Sequence, residues 1–220
     1  MEKTIMISKP KIKLDIKLID NLDLYSVSFI ENEMKIRDIK VKGNKSKGAD
    51  FFKLEFCGSI IENSAFVDCD FEKAEFEDVI FDSCDFSNSS FKSGYFNRCE
   101  FVNCKCIGVN ADNAVLKNTT IKSSNFSYSI FSKAEFNNLK IIGSDFSNST
   151  ISEAKIKKLE CEDAKFIGTN FFKTMLKEID FSKSEFEGIL ISDSFEELRG
   201  CTVNEYQTSG IAKLLGITIK

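Results

Sequence analysis

Eight cysteines, 34 acidic side chains and no histidine set the chemistry open to this 220-residue chain. Cys104 and Cys106 flank Lys105 in a spacing that suits a metal pair, and Cys84 precedes Cys104 by twenty residues. Without imidazole, a zinc site would need four converging thiolates, and Ser-His or Cys-His nucleophilic catalysis has no base. There is no P-loop, no GxGxxG and no distinct acid-base pair, so neither an enzyme, a cofactor nor a metal is expected. The acids are a different matter. Glu55, Glu62, Asp68, Asp70, Glu72, Glu75, Glu77, Asp78, Asp82 and Asp85 face only Lys73 within residues 55–85, a net of −9. Read by itself, such density suits a solvated surface that keeps the chain soluble.

Whatever these residues do, a five-residue period must position them. Counting in fives from Phe51 to Ile191 gives 29 positions, all apolar, of which 18 are Phe. Positions five apart lie about 140° round a helix and on opposite faces of a strand, so neither element buries them together. Turning the backbone once per repeat does, and the period therefore predicts a solenoid. A second, small column sits two residues earlier: Ser64, Cys69, Ala74, Val79, Cys84, Ser89, Gly94, Cys99 and Cys104. Cys69, Cys84, Cys99, Cys104, Cys106 and Cys161 then read as reduced, inward-facing core residues rather than disulfide partners.

With "GADFF", "SNFSY", "SDFSN" and "TNFFK" in this register, the sequence resembles the pentapeptide-repeat family. The resemblance implies an all-β fold: a right-handed quadrilateral β-helix, four repeats per coil, closed by a C-terminal helix. Coils pair about 4.8 Å apart, so residues 51–191 make about seven coils and a rod on the order of 34 Å. Phe71 should stack on Phe91.

The ends depart from the period. Leu24, Phe29, Met34 and Ile39 are five apart but lie two residues out of register with Phe51. The step suggests that residues Gly43, Asn44, Lys45, Ser46, Lys47 and Gly48 leave the coil as a short basic loop, or else form a distorted repeat. Residues 11–20 alternate like a strand that starts or caps the first coil. The expected division is 1–50 for the N-terminal cap and irregular coils, 51–191 for the regular rod, and 192–220 for a terminal module. In that module Asn204 and Gln207 read as a capping box, Ile211, Leu214 and Leu215 as a helical face, Gly216 as the stop, and Ile217 and Ile219 as a short strand.

"GCTVNEYQ" followed by "LLGITI" is similar to the tail of quinolone-resistance, Qnr-type pentapeptide proteins. That resemblance implies a homodimer joined through Tyr206, Ile211, Leu214, Leu215, Ile217 and Ile219. It also implies binding to DNA gyrase or topoisomerase IV by mimicry of DNA, protection from fluoroquinolones, and no direct binding of nucleic acid. The acidic residues Glu62, Asp68, Asp70, Glu72, Glu75, Glu77, Asp78, Asp82 and Asp85 would make the contact. A scaffold for a different protein partner is the alternative. Residues 51–190 carry 22 acids and 16 bases, a net of −6, against roughly 20 charges on an equal length of duplex DNA; only residues 55–85 match DNA in density. Gram-negative members carry two projecting loops, and the register here leaves room for one at most. No apolar run is of membrane-spanning length and the N-terminus has no secretory core, so a cytoplasmic, non-membrane location is expected.

Overall fold

One backbone feature makes the five-residue period possible. The computed structural model describes residues 6–31 and 35–219, and every fifth residue from Asp38 (φ 53°) to Glu178 (φ 67°) is left-handed. Gly43, Gly48, Gly58, Gly108, Gly143 and Gly168 belong to this series, as do Asn63, Asn88, Asn103, Asn113, Asn118, Asn138 and Asn148, residue types that tolerate it. Lys73, Arg98 and Tyr128 hold the same conformation at a cost of about 1–2 kcal/mol each. Each such residue turns the chain a corner, and four corners return it to the start one coil higher.

The straight sides are β1 (Lys17–Ile19), then after helix α1 (Leu22–Glu31), β2 (Lys35–Arg37), β3 (Ile39–Lys42), β4 (Lys45–Lys47), β5 (Glu55–Glu62), β6 (Ala65–Val67), β7 (Glu75–Asp82), β8 (Tyr95–Asn97), β9 (Glu100–Val102), β10 (Val115–Lys122), β11 (Glu135–Ile142) and β12 (Lys155–Glu162). They pair in parallel in the order β1-β3-β5-β7-β8-β10-β11-β12, with an offset of twenty-two between β1 and β3 (Lys17↔Ile39) and of twenty thereafter, as in Phe56↔Phe76 and Phe136↔Ile156. Four repeats per coil thus make a squared solenoid of about seven turns. Backbone N–H groups donate up the rod, as from Phe51 to the Asp70 carbonyl (2.7 Å) and from Phe71 to Ser90 (2.7 Å).

The core follows from the register. All 29 inward positions are buried except Ile156 and Ile191, which are half-buried. Phe71 stacks on Phe91 with ring centroids 4.9 Å apart, and Phe51 on Phe71 at 4.7 Å. The small column does more than save space. Ser89 Oγ donates to the Phe66 carbonyl (2.6 Å), Thr174 Oγ1 to Ile151 (2.6 Å) and Cys84 Sγ to Ile61 (3.3 Å), so side chains stitch one coil to the coil below.

At the N-terminus the sequence reading needs correcting. Residues 43–48 are not a loop: β4 pairs with β6 through Lys45↔Ala65 and Ser46↔Phe66, and Gly43 and Gly48 are ordinary corners. The regular register therefore starts by Asp38 rather than at Phe51. The missing apolar anchor has a physical reason. Asn44 and Ser46 point inward as a polar socket for α1: Asn44 Oδ1 accepts the Leu22 N–H (2.8 Å), and Ser46 Oγ donates to Asp23 Oδ1 (2.5 Å). Leu24 and Phe29 belong to α1, not to a coil, and Leu24 is exposed; Met34 lies outside the described residues. Of residues 11–20, only β1 is a strand, paired with β3.

Helix α2 (Glu205–Leu214) closes the other end. Its capping box is present, and the same two side chains anchor it to the last coil: Asn204 Nδ2 donates to Ser182 O (2.7 Å), and Gln207 Nε2 to Phe181 O (3.0 Å) and Ser184 O (2.6 Å). Gly216 ends the helix with φ 73°. Ile217 and Ile219 lie in no strand.

Candidate partner-binding surfaces

The cysteines are structural. Cys69, Cys84, Cys99, Cys104, Cys106 and Cys161 are buried, and all eight thiols are free. Burial pushes Cys99 and Cys161 up to about 12, and the neighbouring Cys104, with burial, pushes Cys84 up as well. Thiols held protonated are poor nucleophiles.

The acidic cluster is spread over all four sides of the rod. Glu55, Glu75, Glu77 and the corner residue Asp78 share one side; Glu62 and Asp82 lie on the next; Asp68 and Asp85 on the third; Asp70 and Glu72 on the fourth. Bases from the coils above and below meet many of them. Lys40 and Lys42 pair with Glu62 (2.9 and 3.3 Å), Lys35 with Glu55, Lys105 with Asp85 (3.0 Å), and Arg98 with Glu77 (2.8 Å). These pairs are twenty residues apart or nearly so, which is one coil.

Asp78 is removed from any partner's reach. It is buried, receives Arg98 through Nε (2.6 Å) and Nη2 (2.7 Å), and accepts the Lys11 N–H (2.9 Å). Burial favours its neutral form, but the Arg98 guanidinium and the Lys11 N–H outweigh that and hold the carboxyl below its ordinary range. Asp70 and Asp85 are partly used within their own turns, accepting the N–H groups of Glu72 (2.7 Å) and Ser87 (2.9 Å). Glu75 and Glu77 are the exposed acids that share one side. The contact surface expected from the sequence is thus brought together only in this strip.

Lys11 and Lys13 belong to a strap that the sequence did not announce. Lys13 Nζ binds Asp38 Oδ2 (2.7 Å), and the chain then crosses the Gly58 corner to reach Asp78. Gly58 has φ 61°, and a Cβ there would stand 2.8 Å from Asp38 Oδ1 and 3.8 Å from the Lys11 carbonyl. Glycine lets the strap lie close.

At the C-terminal end, Tyr206 (90 % exposed), Leu215, Ile217 and Ile219 present apolar surface, while Ile211 and Leu214 are half-buried and Leu214 packs on the core. A residue missed from the sequence holds this module in place. Glu197, 1 % exposed, accepts the N–H groups of Lys173 (2.8 Å) and Ser192 (3.1 Å) and the Ser192 hydroxyl (2.8 Å). Burial opposes its charge, yet those donors prevail and keep its carboxyl below the usual range. No signal in "SDSFEELRG" separates Glu197 from Glu196.

These features define a squared β-solenoid turned by a left-handed corner at every fifth residue. A family model described as pentapeptide repeats matches in eight copies over residues 48–93 and 99–138, and these residues of the solenoid are pentapeptide repeats. A search of curated proteins returns no match. Among solved structures, two trypsin-treated forms of QnrB1, described as a plasmid-mediated fluoroquinolone resistance protein, superpose with TM-scores of 0.51 and 0.50. Their identities are 21% and 22%, over 82% and 83% of this chain and 91% and 90% of theirs. HetL, a pentapeptide repeat protein involved in heterocyst differentiation regulation from the cyanobacterium Nostoc, gives a TM-score of 0.45 at 14% identity over 86% of each chain. At these identities the likeness is one of fold. Among the described residues, no helix is long and apolar enough to cross a membrane.

Proposed function

We propose that this pentapeptide-repeat protein is a non-catalytic rod that pairs tail to tail and binds a type II topoisomerase, DNA gyrase or topoisomerase IV, protecting it from fluoroquinolones. The observation that carries this reading is the terminal module: a capped helix anchored on the last coil, leaving Tyr206, Leu215, Ile217 and Ile219 exposed at one end of an insertion-free rod. The resemblance of that tail to Qnr-type proteins, and the fold shared with a fluoroquinolone resistance protein, support the choice of partner. Glu75 and Glu77 form the strip that would face the enzyme's DNA-binding surface.

A second reading has its own support. The ion pairs of Glu62, Glu77 and Asp85 with the adjoining coils dilute the acidic field, which favours a scaffold whose partner reads shape rather than charge. Supercoiling by purified gyrase, with a fluoroquinolone and graded amounts of this protein, separates the two. Under the first reading activity is rescued, and Glu75→Lys with Glu77→Lys weakens the rescue and steepens its salt dependence. Neither rescue nor inhibition at any ratio leaves the scaffold reading; rescue untouched by the charge reversal removes the strip from the interface.

A further inference from the structure

The corners of the rod carry a footprint. On three of the four corner columns every described corner is exposed, apart from the half-buried Gly108 and Gly168. On the fourth, Gly58 and Asp78 are buried, Asp38, Arg98, Asn118 and Asn138 are half-buried, and exposure resumes at Lys158. Successive corners are thus covered over five coil spacings, about 24 Å. The strap of residues 6–13 lies there: Lys13 is bonded to Asp38, Lys11 to Asp78, and Met6 lies beside Asn138.

The strap is an extended chain laid on this track, not a strand of the sheet. Pro10 and Ile12 are half-buried while Lys9, Lys11 and Lys13 are exposed, the alternation of an extended segment with one face on the rod. From Met6 to Leu14 it carries three lysines and no acid. The track suits that charge, since the side next to it bears Glu55, Glu75, Glu77 and Asp78 on two successive coils with no base of its own. Yet the hold is slight. Among the described residues two polar contacts fix the strap: Asp78 accepts the Lys11 N–H (2.9 Å), and the Lys13–Asp38 pair (2.7 Å) is exposed and therefore weak. The coils beneath are locked by the backbone ladder along the rod. A segment with so few contacts opens while the body it lies on stays closed. Asp78 is out of reach only while Lys11 covers it; once bare, its Oδ1 accepts a main-chain N–H from any extended segment in the same track.

We propose that this corner track is a docking groove for a basic, extended segment of a partner protein, and that residues 6–13 are its resident cover, which the partner's segment displaces. The cover shows what the groove accepts: a main-chain N–H toward Asp78, a cation toward Asp38 and apolar side chains toward the rod, with Gly58 leaving room for the backbone between them. The groove does this whichever protein supplies the segment.

A synthetic peptide of residues 6–14 is the probe. In the full chain the Lys11 amide exchanges with solvent about a hundredfold faster than the laddered amides of Phe51 and Phe71, and saturating peptide accelerates it further. Lys11→Pro with Lys13→Ala removes both polar contacts of the strap and leaves Asp38, Gly58 and Asp78 in place. This variant binds the peptide about tenfold more tightly than the unsubstituted chain, because its groove is empty. Binding weakens as salt is raised, and a peptide carrying Lys9→Glu, Lys11→Glu and Lys13→Glu does not bind. Equal affinity of the two proteins for the basic peptide, or of the variant for the basic and acidic peptides, overturns the proposal. So does peptide binding that leaves Lys11 exchange in the full chain unchanged, since the peptide then sits elsewhere. Lys11 exchange that slows as protein concentration rises, with no peptide present, makes the strap of a second copy the occupant and overturns it too. The exchange measurements use the unsubstituted chain and so decide the matter even where the double variant is destabilised.

Discussion

The side chains that hold this rod together are small groups in fixed places, and Glu197 shows how much one of them does. Its carboxylate gathers three donors from Lys173 and Ser192 at the junction of the last coil and the terminal module. Because the folded carboxyl sits below the ordinary value of about 4.3, its contribution is fully present above that value and is lost as pH falls through the folded one. Glu197→Gln keeps the shape but turns an amide donor toward N–H groups, and should cost about 1–3 kcal/mol at neutral pH. Thermal unfolding of both proteins at pH 7 and pH 3 checks it: the gap in melting temperature should narrow at pH 3. An equal gap at both values would mean that Glu197 acts through packing and not through charge.

At the scale of coils, the inward columns were legible because one residue type, Phe, marks them with a period that no other element tolerates. The left-handed corners were half legible: Asn and Gly signal them, while Lys73, Arg98 and Tyr128 do not. The first coil was not legible, since its inward Asn44 and Ser46 are polar for the sake of α1, and Leu24 and Phe29 share the five-residue spacing by accident of a helix. Charge pairing was misjudged for a different reason. Counting along the chain sets ten acids against Lys73, whereas the bases that answer them, such as Arg98 for Asp78, stand one coil away. The same twenty-residue offset exposes a flaw in the core. The Phe51–Phe71–Phe91 stack meets Ala111 next, and Phe91, Ala111, Leu116 and Phe131 border a void of about 10 Å³. Its walls are apolar, so it stays dry. Ala111→Val adds two methyl groups at a position filled by Phe or Ile in the other coils of the same stack, and should stabilise by about 1 kcal/mol, raising the melting temperature by about 2–4 °C. A fall instead would show the coils too rigidly spaced to admit it.

The whole molecule is a rod with unlike ends. At one, α1 seats on a polar socket and the strap runs back along the side; at the other, α2 is bound by Asn204 and Gln207 but leaves its outer face apolar. Exposed Tyr206, Leu215, Ile217 and Ile219 on so small a module are the kind of patch that a second copy covers. Tail-to-tail pairing would extend the rod to about 70 Å at the coil spacing of 4.8 Å, presenting two acidic strips related by a two-fold axis. Light scattering on the full chain should then give the mass of two 24.9-kDa chains. Deleting residues 203–220 should return the mass of one, and because that deletion also uncovers the last coil, Leu215→Lys with Ile217→Lys supplies a variant that keeps the anchoring residues Asn204 and Gln207. This variant should be monomeric with an unchanged melting temperature at low concentration. A full chain already monomeric at micromolar concentration, or a lysine variant that remains paired, would assign those apolar residues to capping alone.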